Sequence, residues 1–334
     1  MAKMGNISDF ETRVGALFTS VFGGSACLES MKRLSGGASQ ETWALSGSGQ
    51  TAILRRAPGG TSNARSSAAI GLPMEAKLIQ VARRSGVPVP KVLHVLGPAD
   101  ALGDGFLMNR VEGETIARPI LRNDTYAAAR ATLAAQCGQA LAAIHATDLS
   151  ALPAGLPVSD GLAQIAQYEE IYRGFETPRP VFELALQWLN THAPTPRPTV
   201  LVHGDFRLGN LMVDESGLAA VLDWELAHLG DPREDIAWIC VNSWRFGVTE
   251  KRVGGFGTLE DLLAAYNHAS ALEITPQEID WWEMLGSLKW GIMCMIMYEA
   301  FRSGGDPSVE RAAIGRRVSE TEIDLINLLE AAHV

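Results

Sequence analysis

His203-Gly204-Asp205 closes an apolar run, Val200-Leu201-Val202, and Asn210 follows five residues after Asp205. Two further apolar runs, Leu211-Met212-Val213 and Ala219 to Leu222, flank the turn Asp214-Glu215-Ser216-Gly217 and end at Asp223. This spacing predicts a β-hairpin that returns Asp223 beside Asn210. A carboxylate and an amide oxygen are hard donors suited to Mg2+. A second carboxylate at a strand end can orient a hydroxyl and accept its proton. Together these are the parts that phosphoryl transfer needs, with Asp205 as base and Asn210 and Asp223 as metal ligands. Asp205 or Asn210 alone would more often cap a turn. The whole constellation, bounded by apolar strands, favours chemistry over capping.

Positioning these side chains requires a particular order of elements. Residues 8–22 read as an amphipathic helix, with Ser8 and Glu11 in capping-box spacing. Short strand-like runs follow at 31–34, 41–45 and 51–56, separated by the glycine-containing turns 35–39 and 46–49. Residues 59–71 read as a mobile connection and 73–85 as a helix. Val87-Pro88-Val89-Pro90 is extended, because a residue before proline avoids the helical region. Strands are expected at 92–96 and 105–111. From Asp124 onward the pattern is helical except around the hairpin. A β-rich first third before a helical remainder predicts an α+β fold with segregated lobes. Trp282, Leu285, Leu288, Ile292 and Met295 recur at helical spacing and read as core.

Composition limits the function classes. The 334 residues suit two lobes, and a formal charge of −10 argues against non-specific nucleic-acid binding. The cysteines Cys27, Cys137, Cys240 and Cys294 form no C-x-x-C pair, so they read as small buried apolar residues in a reducing compartment. The N-terminus has no apolar signal core, and Gly291 to Tyr298 is too short to span a bilayer. No membrane partner and a cytoplasmic location are expected. No G-x-x-x-x-G-K-[ST] occurs, so a P-loop is not supported.

HGDFRLGNLMVD, VLDWE and LGDPREDIAW resemble the aminoglycoside phosphotransferase and choline kinase-like family. Within it, the chain is most similar to the kinase-like domains associated with acyl-CoA dehydrogenases. LSGGASQETW, LRRAP, GVPVPKVL, GFLMNRVEG, LAAIHATD and LGSLKWGIMCM extend the likeness over nearly the whole chain. The resemblance implies a two-lobed protein-kinase-like fold, with a small β-rich N-lobe over 1–108 and a hinge and larger helical C-lobe over 109–334. It implies ATP and Mg2+ as cofactors and a small-molecule hydroxyl as acceptor. Gly36, Gly37 and Ser39 would belong to the nucleotide-covering loop. Met108 would pack beside adenine, and the backbone of Asn109 and Val111 would bond its edge. Arg55 stands where such kinases usually carry Lys, with Glu75 as its partner; Arg56, facing the other way, would not enter the cleft. His203 reads as structural, Asp231 and Asp235 as anchors of loop backbone and caps of the next helix, and Arg207 and Glu225 as substrate contacts or local ion pairs. A hydroxyacyl compound and an aminoglycoside or choline-like amino alcohol are the acceptor alternatives. An amine would call for acids such as Asp160, Glu169, Glu170 and Asp280 in the acceptor pocket. The Arg55 departure leaves a non-catalytic nucleotide-binding pseudokinase as the rival.

Overall fold

The computed structural model describes residues 5–34, 40–58 and 69–332. Strands β1 (Ser30–Arg33), β2 (Glu41–Gly47), β3 (Gln50–Arg56), β4 (Val92–Val95) and β5 (Gly105–Asn109) form one antiparallel sheet in the order β1-β2-β3-β5-β4. Helix α1 (Gly5–Phe22) lies on one face and α2 (Leu72–Arg84) belongs to the other side. Strand alternation makes the two faces different. Leu45, Ala52, Leu54 and Leu107 bury against Val14, Leu17 and Phe18 of α1. Ile53 and Arg55 point the opposite way and line a cleft. Arg56 turns back toward α1, with its guanidinium 4.1 Å from the Phe10 ring centroid and its Nε donating to Glu41 at 2.7 Å.

Two boundaries differ from the sequence reading. Helix α1 begins at Gly5, so Ser8 lies inside the helix and not at its N-cap. Strand β5 stops at Asn109, short of Val111. Beyond it the chain leaves the sheet, and Glu114 exchanges two backbone bonds with Val213 at 2.8 and 2.9 Å. That pair ties the connection between the lobes to the hairpin carrying the candidate site.

The remainder is helical: α3 (Ala117–Arg122), α4 (Ala127–His145), α5 (Gly161–Arg173), α6 (Pro180–Thr191), α7 (Arg233–Trp238), α8 (Leu259–Ala269), α9 (Pro276–Arg302), α10 (Val309–Gly315) and α11 (Val318–Ala331). Two small antiparallel ladders interrupt it. The hairpin β7 (Leu211–Asp214) and β8 (Gly217–Val221) lies where the apolar runs predicted. Strand β6 (Val200–Val202) pairs with β9 (His228–Gly230), which the sequence did not suggest. At the start of helix α9 the Glu278 carboxylate accepts the Thr275 N–H at 3.0 Å and the Thr275 hydroxyl at 3.2 Å. Trp282, Leu285, Leu288, Ile292 and Met295 of this helix are all buried, as their spacing predicted. Cys137, Cys240 and Cys294 are buried, but Cys27 is exposed, which corrects the reading of all four as interior residues. Cys27 sits in the short connection between α1 and β1. No helix among the described residues is long and apolar enough to cross a membrane.

Candidate active site

The loop after β6 is held from α7. The buried Asp235 carboxylate accepts the His203 N–H at 2.7 Å and the Gly204 N–H at 2.9 Å. Gly204 has φ +82°, and a Cβ there would lie 2.4 Å from the Leu226 carbonyl oxygen, so the position requires glycine. His203 Nε2 lies 3.0 Å from the Leu222 carbonyl, and its Nδ1 accepts the Asp205 N–H at 3.2 Å. That pattern assigns the ring hydrogen to Nε2. Burial pushes the imidazole pKa below its ordinary value, against the pull of Asp235 and Asp205. His203 therefore locks the loop to the strand end that carries Asp223. Asp231 anchors backbone as expected: its Oδ1 accepts the N–H of Arg233, the first residue of α7, at 3.0 Å and its Oδ2 accepts that of Arg197 at 3.3 Å, while Arg233 Nη2 donates to Oδ2 at 2.6 Å.

Three donors fix Asp205. Its Oδ1 accepts from Trp238 Nε1 at 2.7 Å and from Arg207 Nε at 2.9 Å, and its Oδ2 accepts from Asn210 Nδ2 at 2.6 Å. The same Asn210 nitrogen donates to the Asp205 carbonyl at 2.9 Å, which leaves the Asn210 amide oxygen as an acceptor. The Leu222 N–H donates to the Asn210 carbonyl at 2.9 Å, so the hairpin does bring Asp223 beside Asn210. Asp223 has φ +65°, a left-handed conformation that Asp tolerates better than most residues and that concentrates at functional sites.

Arg55 joins the sheet to these residues. Its Nη1 lies 3.3 Å from Glu75 Oε1, and its Nη2 bonds Asp223 Oδ1 and lies 3.7 Å from Glu225 Oε2. Three carboxylates thus converge on one guanidinium. Burial raises the Glu75 carboxyl to about 7 against the pull of Arg55. Burial also opposes ionisation of Asp223, but Arg55 outweighs it and holds that carboxyl below its ordinary value. The surplus of negative charge and the all-oxygen donor set of Asn210 and Asp223 fit a hard divalent cation.

A cleft of about 1000 Å3 between the sheet and the helices collects the predicted residues. Arg55, Glu75, Met108, Asn109, Val111, Asp205, Asn210 and Asp223 all line it. Gly36, Gly37 and Ser39 lie outside the described residues. Met108 pairs with Ile53 across β5 and β3, giving the sheet end an apolar wall. The Asn109 N–H is taken by the Lys91 carbonyl at 2.9 Å, because β5 remains paired to the chain before β4 at this point, so a backbone bond from Asn109 to a ligand would use its carbonyl.

The opposite end of the cleft contains residues the sequence reading did not select. Lys289, half-buried on α9, has its Nζ 3.3 Å from Glu234 Oε1 and 3.4 Å from Gln164 Oε1, above the rings of Tyr168 and Trp238. Glu234 also receives Gln164 Nε2 at 2.6 Å and lies 3.0 Å from His228 Nε2. Burial opposes its ionisation, but Lys289 and His228 outweigh it and bring its carboxyl down to about 2. The available signal was one lysine inside an otherwise apolar helical stretch. The acids considered for an amine site lie elsewhere. Asp160 caps α5 through the Ala163 N–H at 2.8 Å, Glu169 pairs with Arg173, Asp280 pairs with Arg252, and Glu170 is exposed.

Residues 30–282 match the model of APH, the phosphotransferase enzyme family. The chain belongs to this family. Among curated proteins, this phosphotransferase-family chain is 33% identical over 212 residues to acyl-CoA dehydrogenase family member 10 of Mus musculus, a match covering 61% of the chain and 20% of the relative. It is 26% identical over 330 residues to acyl-CoA dehydrogenase family member 11 of Gallus gallus, covering 91% and 41%. The chain thus spans less than half the length of these relatives. A candidate aminoglycoside phosphotransferase of Ralstonia eutropha JMP134 superposes with TM-score 0.76 at 23% identity, covering 96% of this chain and 98% of that one. A choline/ethanolamine kinase family protein of Mesorhizobium loti gives TM-score 0.66 at 17% identity, covering 96% and 95%. The fold is the expected two-lobed, α+β protein-kinase-like one.

Proposed function

We propose that the chain is an ATP- and Mg2+-dependent phosphotransferase acting on a hydroxyl of a small molecule. The observation that supports it most is the convergence of Asp205, Asn210 and Asp223, from the loop and hairpin after β6, in one cleft with Arg55 of β3 and Glu75 of α2. Asn210 and Asp223 would hold Mg2+, which when bound neutralises and orients the phosphates. Arg55, braced by Glu75, offers a planar fork for phosphate oxygens. Asp205 orients the acceptor hydroxyl and takes its proton as the oxygen attacks the terminal phosphorus. Trp238, Arg207 and Asn210 keep its carboxylate in one position while it does so. Met108 and Val111 form the nucleotide end.

The Arg55–Glu75 pair weighs against the pseudokinase reading, because a cation stands in the position where a lysine would. Kinship with acyl-CoA dehydrogenase family members favours a hydroxyacyl acceptor over an amino alcohol. The test is Mg-ATP turnover against a panel of hydroxyl metabolites, together with calorimetric titration of Mg-ATP into Asn210→Ala and Asp223→Ala. Turnover is expected with at least one acceptor, and each substitution should weaken Mg2+-dependent nucleotide binding by roughly tenfold or more. Unchanged binding in both variants would remove the metal-site assignment.

A further inference from the structure

The acceptor end of the cleft is built against a cationic substrate, and we propose that Lys289 is the specificity-determining residue there, binding a carbonyl or carboxylate oxygen of the acceptor. This rests on the proposed function, in that Asp205 marks the end where the acceptor hydroxyl reacts. Only one indole separates the two groups: Trp238 donates its Nε1–H to Asp205, and its ring lies 5.2 Å from Lys289 Nζ. An ammonium has three N–H donors. Two of the Lys289 donors make long contacts, to Glu234 at 3.3 Å and Gln164 at 3.4 Å. That leaves one for the cleft, whose wall Lys289 helps to form.

A cationic acceptor would need free carboxylates or bare aromatic faces. The acids at this end are already engaged: Asp205 by Trp238, Arg207 and Asn210, and Glu234 by His228, Gln164 and Lys289. The aromatic rings already carry cations of the protein. Lys289 lies over Trp238, Arg207 over Trp244 at 4.7 Å and Arg317 over Trp290 at 5.7 Å. A choline-like group entering here would lie against the Lys289 ammonium and the Arg207 guanidinium, which both line the cleft. An oxygen acceptor on the substrate instead gains a charge-assisted hydrogen bond in a buried site.

The test titrates the protein with 2-, 3- and 4-hydroxybutyrate, with methyl 3-hydroxybutyrate and with choline, reading tryptophan fluorescence because three indoles line this end. The acids or the ester should give a saturable change and choline none; the acid and ester arms separate a carboxylate from an acyl carbonyl. Lys289→Met should weaken the oxygen ligand by roughly tenfold to a hundredfold. Lys289→Gln, which keeps hydrogen-bonding capacity without the charge, should weaken it as well and decides the matter if the Met variant does not fold. Choline binding as tightly as the best acid or ester, no saturable change with any of them, or unaltered affinity in the folded variants would each overturn the assignment. Mg-ATP is titrated separately. Its failure to bind alongside Lys289-dependent acid binding would contradict the kinase reading while supporting this one.

Discussion

Glu234 shows how neighbours keep a buried carboxylate ionised. It sits buried between Lys289, His228 and Gln164, and its carboxyl titrates at about 2 instead of the ordinary 4.5. A depressed carboxyl contributes stability that is fully present above the unfolded value and is lost as pH falls through the folded value. The wild type should therefore lose stability between about pH 4.5 and about pH 2, and Glu234→Gln should flatten that limb in acid-unfolding curves. At this scale the sequence was legible where chemistry is local. Asp205, Asn210 and Asp223 lie within one short segment, and their spacing alone placed them together. Lys289 and Glu234 were not legible, because they meet across 55 positions through the packing of α9 on α7, which spacing does not encode.

At the scale of elements, alternation in β3 decides which arginine enters the cleft. Arg55 faces Glu75 while Arg56 faces Glu41 and Phe10, as adjacent strand residues must. Arg55→Ala strands the buried Glu75 without its cation and should cost about 3 kcal/mol in urea unfolding. Adding Glu75→Gln should recover part of that loss; an equal or larger loss in the double variant would mean that the pair is not coupled. At the start of α9 the Thr275 hydroxyl donates to Glu278, so Thr275→Ala should lower stability by about 1 kcal/mol in the same measurement. Helices with apolar periodicity and strands bounded by glycine turns were readable in advance. Strand β9 was not: three residues with no β-pattern of their own form a strand only because β6 offers an edge. Strand β5 was read two residues too long, since Val111 suits a strand although the pairing with β3 ends at Asn109.

At the scale of the whole molecule, the cleft is the consequence of two separate cores. One packs α1 against the back of the sheet, and the other joins α2 to the helical lobe and hairpins. Arg55 joins the sheet to Asp223, and the Glu114–Val213 backbone pair ties the chain after β5 to the hairpin. The central claim is that Asp205 takes the proton of an acceptor hydroxyl during phosphoryl transfer. The direct measurement is mass-spectrometric quantification of phosphorylated acceptor and ADP from Mg-ATP, comparing wild type with Asp205→Asn on the best acceptor of the hydroxyl panel. The account predicts matched ADP and phosphorylated product from the wild type, and turnover lower by roughly 10²- to 10⁴-fold in the folded variant. Equal rates of product formation by the two proteins would contradict it.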